Sequence, residues 1–138
     1  MLIVEEQETF YLRKDNFPMR EETYKIIGLA MEVHRILGKG FLEIVYKDAM
    51  EIEFNDHKVP FEREKPFIIE YKYRILKRKY NADFVVYEKL LLEVKAQSGI
   101  YDDDIKQTLN YLACSKLKLG LILNFGEASL SFKRVILT

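Results

Sequence analysis

The sequence predicts an α/β fold: a mixed central β-sheet flanked by helices, entered through an N-terminal helical hairpin. Three observations predict it. Apolar residues first recur at helical spacing in two blocks, separated by Gly38-Lys39-Gly40. The middle of the chain then switches to alternation, the mark of half-buried strands. Finally an apolar strand, a helix and a second apolar strand follow in order, which implies a right-handed crossover and a parallel pair. A chain of 138 residues suffices for one domain that buries roughly 68% of its unfolded surface, so neither disulfides nor a structural metal are required.

Each element has its own justification. Residues 1–20 show weak periodicity and are read as an N-terminal extension, able to carry a short strand, ahead of a single domain spanning 21–138. From Glu21 to about Leu37, the residues Ile26, Leu29, Ala30, Val33 and Leu37 share one stripe, and Gly38 is placed to cap the helix. A second helix is expected from about Phe41 to Asn55, burying Leu42, Val45, Tyr46, Ala49 and Ile52. Phe67, Ile69, Tyr71 and Tyr73 alternate with polar neighbours, so this stretch reads as a strand. Two more strands, Arg78 to Tyr87 and Leu90 to Ala96, are joined by a tight turn near Glu88-Lys89. Asp102-Asp103-Asp104 opens a helix that reaches about Lys118, its negative charge suiting the positive end of the dipole. Leu119 to Asn124 and Leu130 to Leu137 complete the sheet.

Charge and composition exclude several functions. Lys plus Arg number 22 and Asp plus Glu number 22, so bulk charge cannot drive polyanion binding, although a local basic patch still can. Cys114, the one cysteine, permits no internal disulfide and fits a reducing compartment. The first residues lack the basic end and long apolar core of a signal peptide. No stretch approaches the roughly 18 apolar residues of a membrane span. A cytoplasmic protein without a membrane partner is expected.

The chemistry concentrates between Asp83 and Lys95. Alternation along Leu90 to Ala96 puts Leu91, Glu93 and Lys95 on one face. Charges beside Leu and Val are costly unless paired or bound to a metal. Register decides whether Asp83 joins them. Paired residues whose numbers sum to 178 would set Asp83 against Lys95 and Val85 against Glu93, with a three-residue turn around Glu88-Lys89-Leu90. A sum of 177 would scatter the polar groups. The even sum is the expectation. Two carboxylates and a lysine suit a hard divalent ion, Mg²⁺ or Mn²⁺, with water held beside it. A buried structural ion pair satisfies the same spacing.

Asp83 followed by Glu93-Val94-Lys95 resembles the core motif of the PD-(D/E)xK nuclease superfamily. Gln107 and Tyr111 match the Gln-x-x-x-Tyr motif of its RecB-like branch. Gly40-Phe41-Leu42-Glu43-Ile44-Val45-Tyr46 is similar to the motif that gives the GxxExxY family its name. Val33-His34-Arg35-Ile36-Leu37-Gly38 and Leu121-Ile122-Leu123-Asn124-Phe125-Gly126 resemble segments that flank it, and the resemblance runs from about Tyr24 to Leu137. Lys39 departs from the family, whose loop often carries proline there. The resemblance implies a restriction-endonuclease-like core in a small prokaryotic protein. It implies that Asp83 and Glu93 ligate Mg²⁺ or Mn²⁺, with the Val94 carbonyl as a third ligand. Lys95 would position the attacking water, Glu43 would add a carboxylate, and Gln107 would support Lys95 or contact a phosphate.

Tyr111 shares a helix face with Gln107, opposite Ile105, Leu109 and Leu112, and is either a substrate contact or a packing residue. Tyr46 and His34 are the other candidates for substrate binding, although a hydrogen-bonded structural role suits His34 well. His57 reads as a loop residue, and two histidines with one cysteine offer no zinc-like spacing. Lys72, Arg74, Lys77, Arg78 and Lys79, interleaved with Tyr71, Tyr73 and Tyr80, form the densest basic run. They suit a phosphate backbone or unpaired bases, or else a solvated hairpin. The expected function is divalent-metal-dependent hydrolysis of phosphodiester bonds in DNA or RNA, with a homodimer able to widen the groove. The alternative is a catalytically silent nuclease-fold module that binds nucleic acid or a protein partner.

Overall fold

The computed structural model describes residues 2–5 and 19–137, and of Leu2–Glu5 the backbone alone. The elements run β1 (Leu2–Glu5), α1 (Arg20–Leu37), α2 (Glu43–Asp56), β2 (Phe61–Tyr71), β3 (Arg74–Val86), β4 (Leu90–Lys95), α3 (Asp102–Ser115), β5 (Leu119–Asn124) and β6 (Ser131–Leu137). The six strands form one mixed sheet in the order β1-β6-β5-β4-β3-β2. The β4–β5 pair is parallel, as the strand–helix–strand order requires, and the other pairs are antiparallel. Among the described residues no helix is long and apolar enough to cross a membrane.

Both sheet faces are covered, which is why β4 and β5 are buried along almost their whole length rather than on alternate residues, with their polar residues Glu93, Lys95 and Asn124 gathered toward one end. On one side Phe84, Val86, Leu90, Leu92 and Val94 pack with Ile26, Ala30 and Val33 of α1 and Tyr46, Met50 and Phe54 of α2. On the other side Ala82, Val85, Leu91 and Ile122 meet Leu112, with Ile105, Leu109 and Tyr111 of α3 packed around them. Gly38 ends α1 with φ 67° and ψ −171°, a positive-φ conformation open to glycine though not the left-handed helical one of the usual cap.

The second helix is rotated from its expected setting. It starts at Glu43, and its buried residues are Tyr46, Lys47, Met50 and Phe54. Leu42 and Ile52 are exposed instead. Tyr46 fixes that rotation. Its hydroxyl donates to the Gly38 carbonyl at 2.6 Å and accepts from the Phe41 amide at 3.2 Å, while its ring stacks on Phe125 at 4.6 Å.

The turn between β3 and β4 also differs from expectation. Val86 pairs with Leu90 and Phe84 with Leu92, so paired numbers sum to 176 rather than 178. The parity holds, but the three turn residues are Tyr87, Glu88 and Lys89. Tyr87 and Glu88 adopt φ of 56° and 61°, which two non-glycine residues do not announce in a sequence. Continued one step, this register sets Asp83 opposite Glu93.

Candidate active site

The β3–β4 ladder stops at the two carboxylates. Beyond Phe84 and Leu92, side chains take over from backbone pairing: the Asp83 amide donates to Glu93 Oε2 at 3.0 Å, and the Val94 amide donates to Asp83 Oδ2 at 2.8 Å. Each strand thus contributes a carboxylate that satisfies an amide of the other. Asp83, Glu93 and Val94 form a reciprocal clasp at the point where the strands part.

Lys95 ends β4, and its Nζ donates to Gln107 Oε1 of α3 at 3.0 Å and lies 4.0 Å from Asp104. The backbone around it is pinned from β5. Asn124 accepts the Gln97 amide through Oδ1 at 3.0 Å and donates to the Gln97 carbonyl through Nδ2 at 2.9 Å. The Phe125 amide donates to the Lys95 carbonyl at 2.8 Å. Gly126 is required here, because a Cβ would lie 2.2 Å from the Gln97 carbonyl oxygen and 2.3 Å from its nitrogen. The parallel pairing of Lys95 with Asn124 places this end at the carboxyl edge of both strands, where open α/β sheets bind their ligands.

α2 supplies the opposite wall. Glu43, in its first turn, feels both Asp83 and Lys95, and burial followed by the Asp83 charge raises its carboxyl above the usual range. One helical turn on, Lys47 donates to Glu64 of β2 and, at 3.0 Å, to Asp83 Oδ1. Burial works against its charge, yet those two hydrogen bonds raise its ammonium above the ordinary lysine value. Glu64 holds φ 54°, a conformation that costs a non-glycine residue about 1–2 kcal/mol.

The site is short of positive charge. Glu93 is 3% exposed, and burial, then the neighbouring Asp83 charge, pushes its carboxyl up to about 8. The same surroundings push the Tyr111 hydroxyl up to about 12, burial first and then Glu93 and Asp83. Among the described residues no three His, Cys, Asp or Glu side chains stand together as a ready metal cage. An all-oxygen pair of carboxylates that repel one another nonetheless fits a hard divalent cation, which commonly takes one or two carboxylates and keeps several waters.

Of the residues proposed from sequence, Asp83, Glu93, Val94, Lys95, Glu43 and Gln107 are brought to one end of the sheet. Tyr111 lies beside them, its ring 5.5 Å from Tyr80. Tyr46 is not presented to a substrate: it is fully buried and its hydroxyl is spent on the α1–α2 loop. His34 is also held by packing, its Nε2 bonded to the Glu127 carbonyl at 2.9 Å and its ring stacked near Phe125. Lys72, Arg74, Lys77 and Arg78 are exposed on the β2–β3 hairpin, away from the clasp. At about 3.3 Å per residue, Arg78 and Arg74 sit roughly 17 Å and 30 Å along β3 from Asp83. Sequence reasoning missed Lys47 and Glu64. Lys47 could have been found from its place four residues after Glu43, on the same helix face.

A family profile described as the PD-(D/E)XK nuclease superfamily matches residues 20–135. No curated protein and no solved structure matches the chain.

Proposed function

This chain belongs to the PD-(D/E)XK nuclease superfamily, and we propose that it is a divalent-metal-dependent nuclease, of the GxxExxY kind, that hydrolyses phosphodiester bonds in DNA or RNA. The observation that carries this reading is the convergence of Asp83, Glu93 and Lys95 at the parted ends of β3 and β4, with Glu43 and Gln107 facing them from two helices. Asp83 and Glu93, with the Val94 carbonyl, would hold Mg²⁺ or Mn²⁺. Bound there, the ion supplies Lewis acidity toward a phosphate oxygen and offsets charge that develops in the transition state.

The chain's own groups do the rest. Lys95, steadied by Gln107, orients the attacking water toward phosphorus, and in-line attack expels the ester oxygen on the far side. Glu43, whose carboxyl is raised, is placed to exchange a proton with that water or the leaving oxygen. Tyr111 borders the site on the α3 side, where a ring suits a base or sugar. The exposed β2–β3 hairpin carries Lys72, Arg74, Lys77, Arg78 and Lys79 against Glu70 alone between Ile68 and Lys79. It is a local basic surface in a chain of zero net charge. A two-stranded ribbon of this kind fits the major groove of a duplex.

The test is calorimetric titration of Mg²⁺ and Mn²⁺ into wild type, Asp83→Ala and Glu93→Ala, each checked for folding, followed by incubation with labelled single- and double-stranded DNA and RNA. Ion binding and cleavage in wild type, both lost in the variants, are expected. Cleavage that persists in both variants would overturn the proposal. Ion binding without cleavage of any nucleic acid would move the assignment to a silent nucleic-acid-binding module.

A further inference from the structure

Lys47 occupies an unusual place. It is 7% exposed and bonded to carboxylates from two strands, Glu64 on β2 and Asp83 on β3. The sheet is deformed to bring them there. Phe61 packs on the α1–α2 side and Phe67 on the α3 side. Six residues apart on a regular strand they would share a face, so the alternation of β2 slips once between them. Ala82 lies on the α3 side and Phe84, two residues later, on the α1–α2 side, so β3 slips as well, at Asp83. The β2–β3 pairing runs from Arg63–Phe84 to Lys65–Ala82 and leaves out Glu64 opposite Asp83. Both irregularities meet at the Lys47 ammonium, and the left-handed backbone of Glu64 belongs to the same distortion. Strain of this kind clusters where a site needs it.

We propose that Lys47 is a resident cation standing where a second divalent ion would bind, so that the centre takes one metal ion and not two. This rests on the metal-dependent reading above and says what kind of centre that reading describes. Charge supports it. Glu43, Glu64, Asp83 and Glu93, with Asp104 4.0 Å from Lys95, are five carboxylates facing two ammonium groups, Lys47 and Lys95, a formal excess of three negative charges. One divalent ion lowers that excess to one, and a second would reverse its sign. Asp104 also accepts the Tyr101 amide at 2.8 Å and a bond from Gln97 at the start of α3.

Geometry supports it too. Two-metal centres set their ions about 3.5–4 Å apart across a shared carboxylate. At the carboxylate best placed to be shared, the ammonium is already 3.0 Å from Asp83 Oδ1. An ionised carboxylate offers about four lone-pair sites, so bonds to Lys47 and to the Val94 amide still leave room for one ion. Lys47 is thus a positioning residue: it holds Asp83 turned out of the regular strand alternation and keeps a second cation away.

The experiment is Mn²⁺ titration, followed by calorimetry and by the electron paramagnetic resonance of bound Mn²⁺, on wild type, Lys47→Met and Lys47→Arg. Wild type and Lys47→Arg should bind one equivalent with an uncoupled spectrum. Lys47→Met should bind two, with the exchange-coupled signal of neighbouring ions. Two coupled ions in wild type overturn the proposal, and this result stands even if Lys47→Met does not fold. A folded Lys47→Met that still binds one ion with unchanged affinity overturns it equally. Wild type that binds no Mn²⁺ and cleaves nothing sinks the metal-dependent reading itself, and this inference with it.

Discussion

Replacing Glu93 by Gln tests how the carboxylate pair is held when no cation is bound. Burial, then the Asp83 charge, moves the Glu93 carboxyl from 4.5 up to about 8. Across that interval the folded protein keeps a proton that the unfolded chain has released. Stability therefore falls as pH rises through the window, the reverse of an ordinary salt-bridged carboxylate. The interval is about 3.5 pH units at about 1.4 kcal/mol each, or roughly 5 kcal/mol. Urea unfolding between pH 5 and pH 8.5 in the presence of a chelator measures it. Wild type should lose several kcal/mol over the range. Glu93→Gln keeps an oxygen to accept the Asp83 amide but carries no titrating proton, so most of the slope should vanish. A shallow slope of the same sign should remain from Glu43, which is also raised. Parallel stability curves for the two proteins would refute the argument. Divalent ions added at pH 8 should return stability to wild type and little to the variant.

Two other outcomes follow from features away from the carboxylates. Lys77→Ala combined with Arg78→Ala should flatten the log–log salt dependence of duplex binding by about 0.9 for each phosphate left without a cation. Because both side chains are exposed, stability should stay within about 0.5 kcal/mol; filter binding across a salt series and a thermal melt check the two halves. Gly126→Ala should cost about 3 kcal/mol or more by thermal melt, since its Cβ would overlap Gln97 backbone atoms that cannot rotate aside.

The site was legible in the sequence where chemistry followed period. Odd-numbered residues of β4 share a face, and an even register brings Asp83 to them, so Asp83, Glu93 and Lys95 could be gathered without coordinates. The exact register could not, because Tyr87 and Glu88 turn the chain through left-handed conformations that glycine or asparagine would have advertised. The setting of α2 was lost for a related reason. Its sequence offers two competing stripes that share Tyr46, and the one that wins takes in the polar Lys47, which finds partners inside, while Leu42 and Ile52 stay in solvent. The slips at Glu64 and Asp83 have no signature at all. They sit where a lysine on another element bonds two carboxylates, a meeting of α2, β2 and β3 that local pattern cannot contain.

The clasp between Asp83 and Glu93 separates two demands usually tied together. What closes the parted strands is an oxygen accepting an amide proton on each side, and an oxygen does that whether it belongs to a carboxylate or a carboxamide. What holds an ion is the charge. On the proposed reading Glu93→Gln therefore silences the chemistry while leaving the architecture standing, whereas Asp83→Ala and Glu93→Ala remove the ion's ligands and the clasp together; Asp83 spends both oxygens, on Lys47 and on the Val94 amide, and has none to exchange for an NH2. Descent can switch such a protein off one atom at a time, and a scaffold so silenced remains available for another trade.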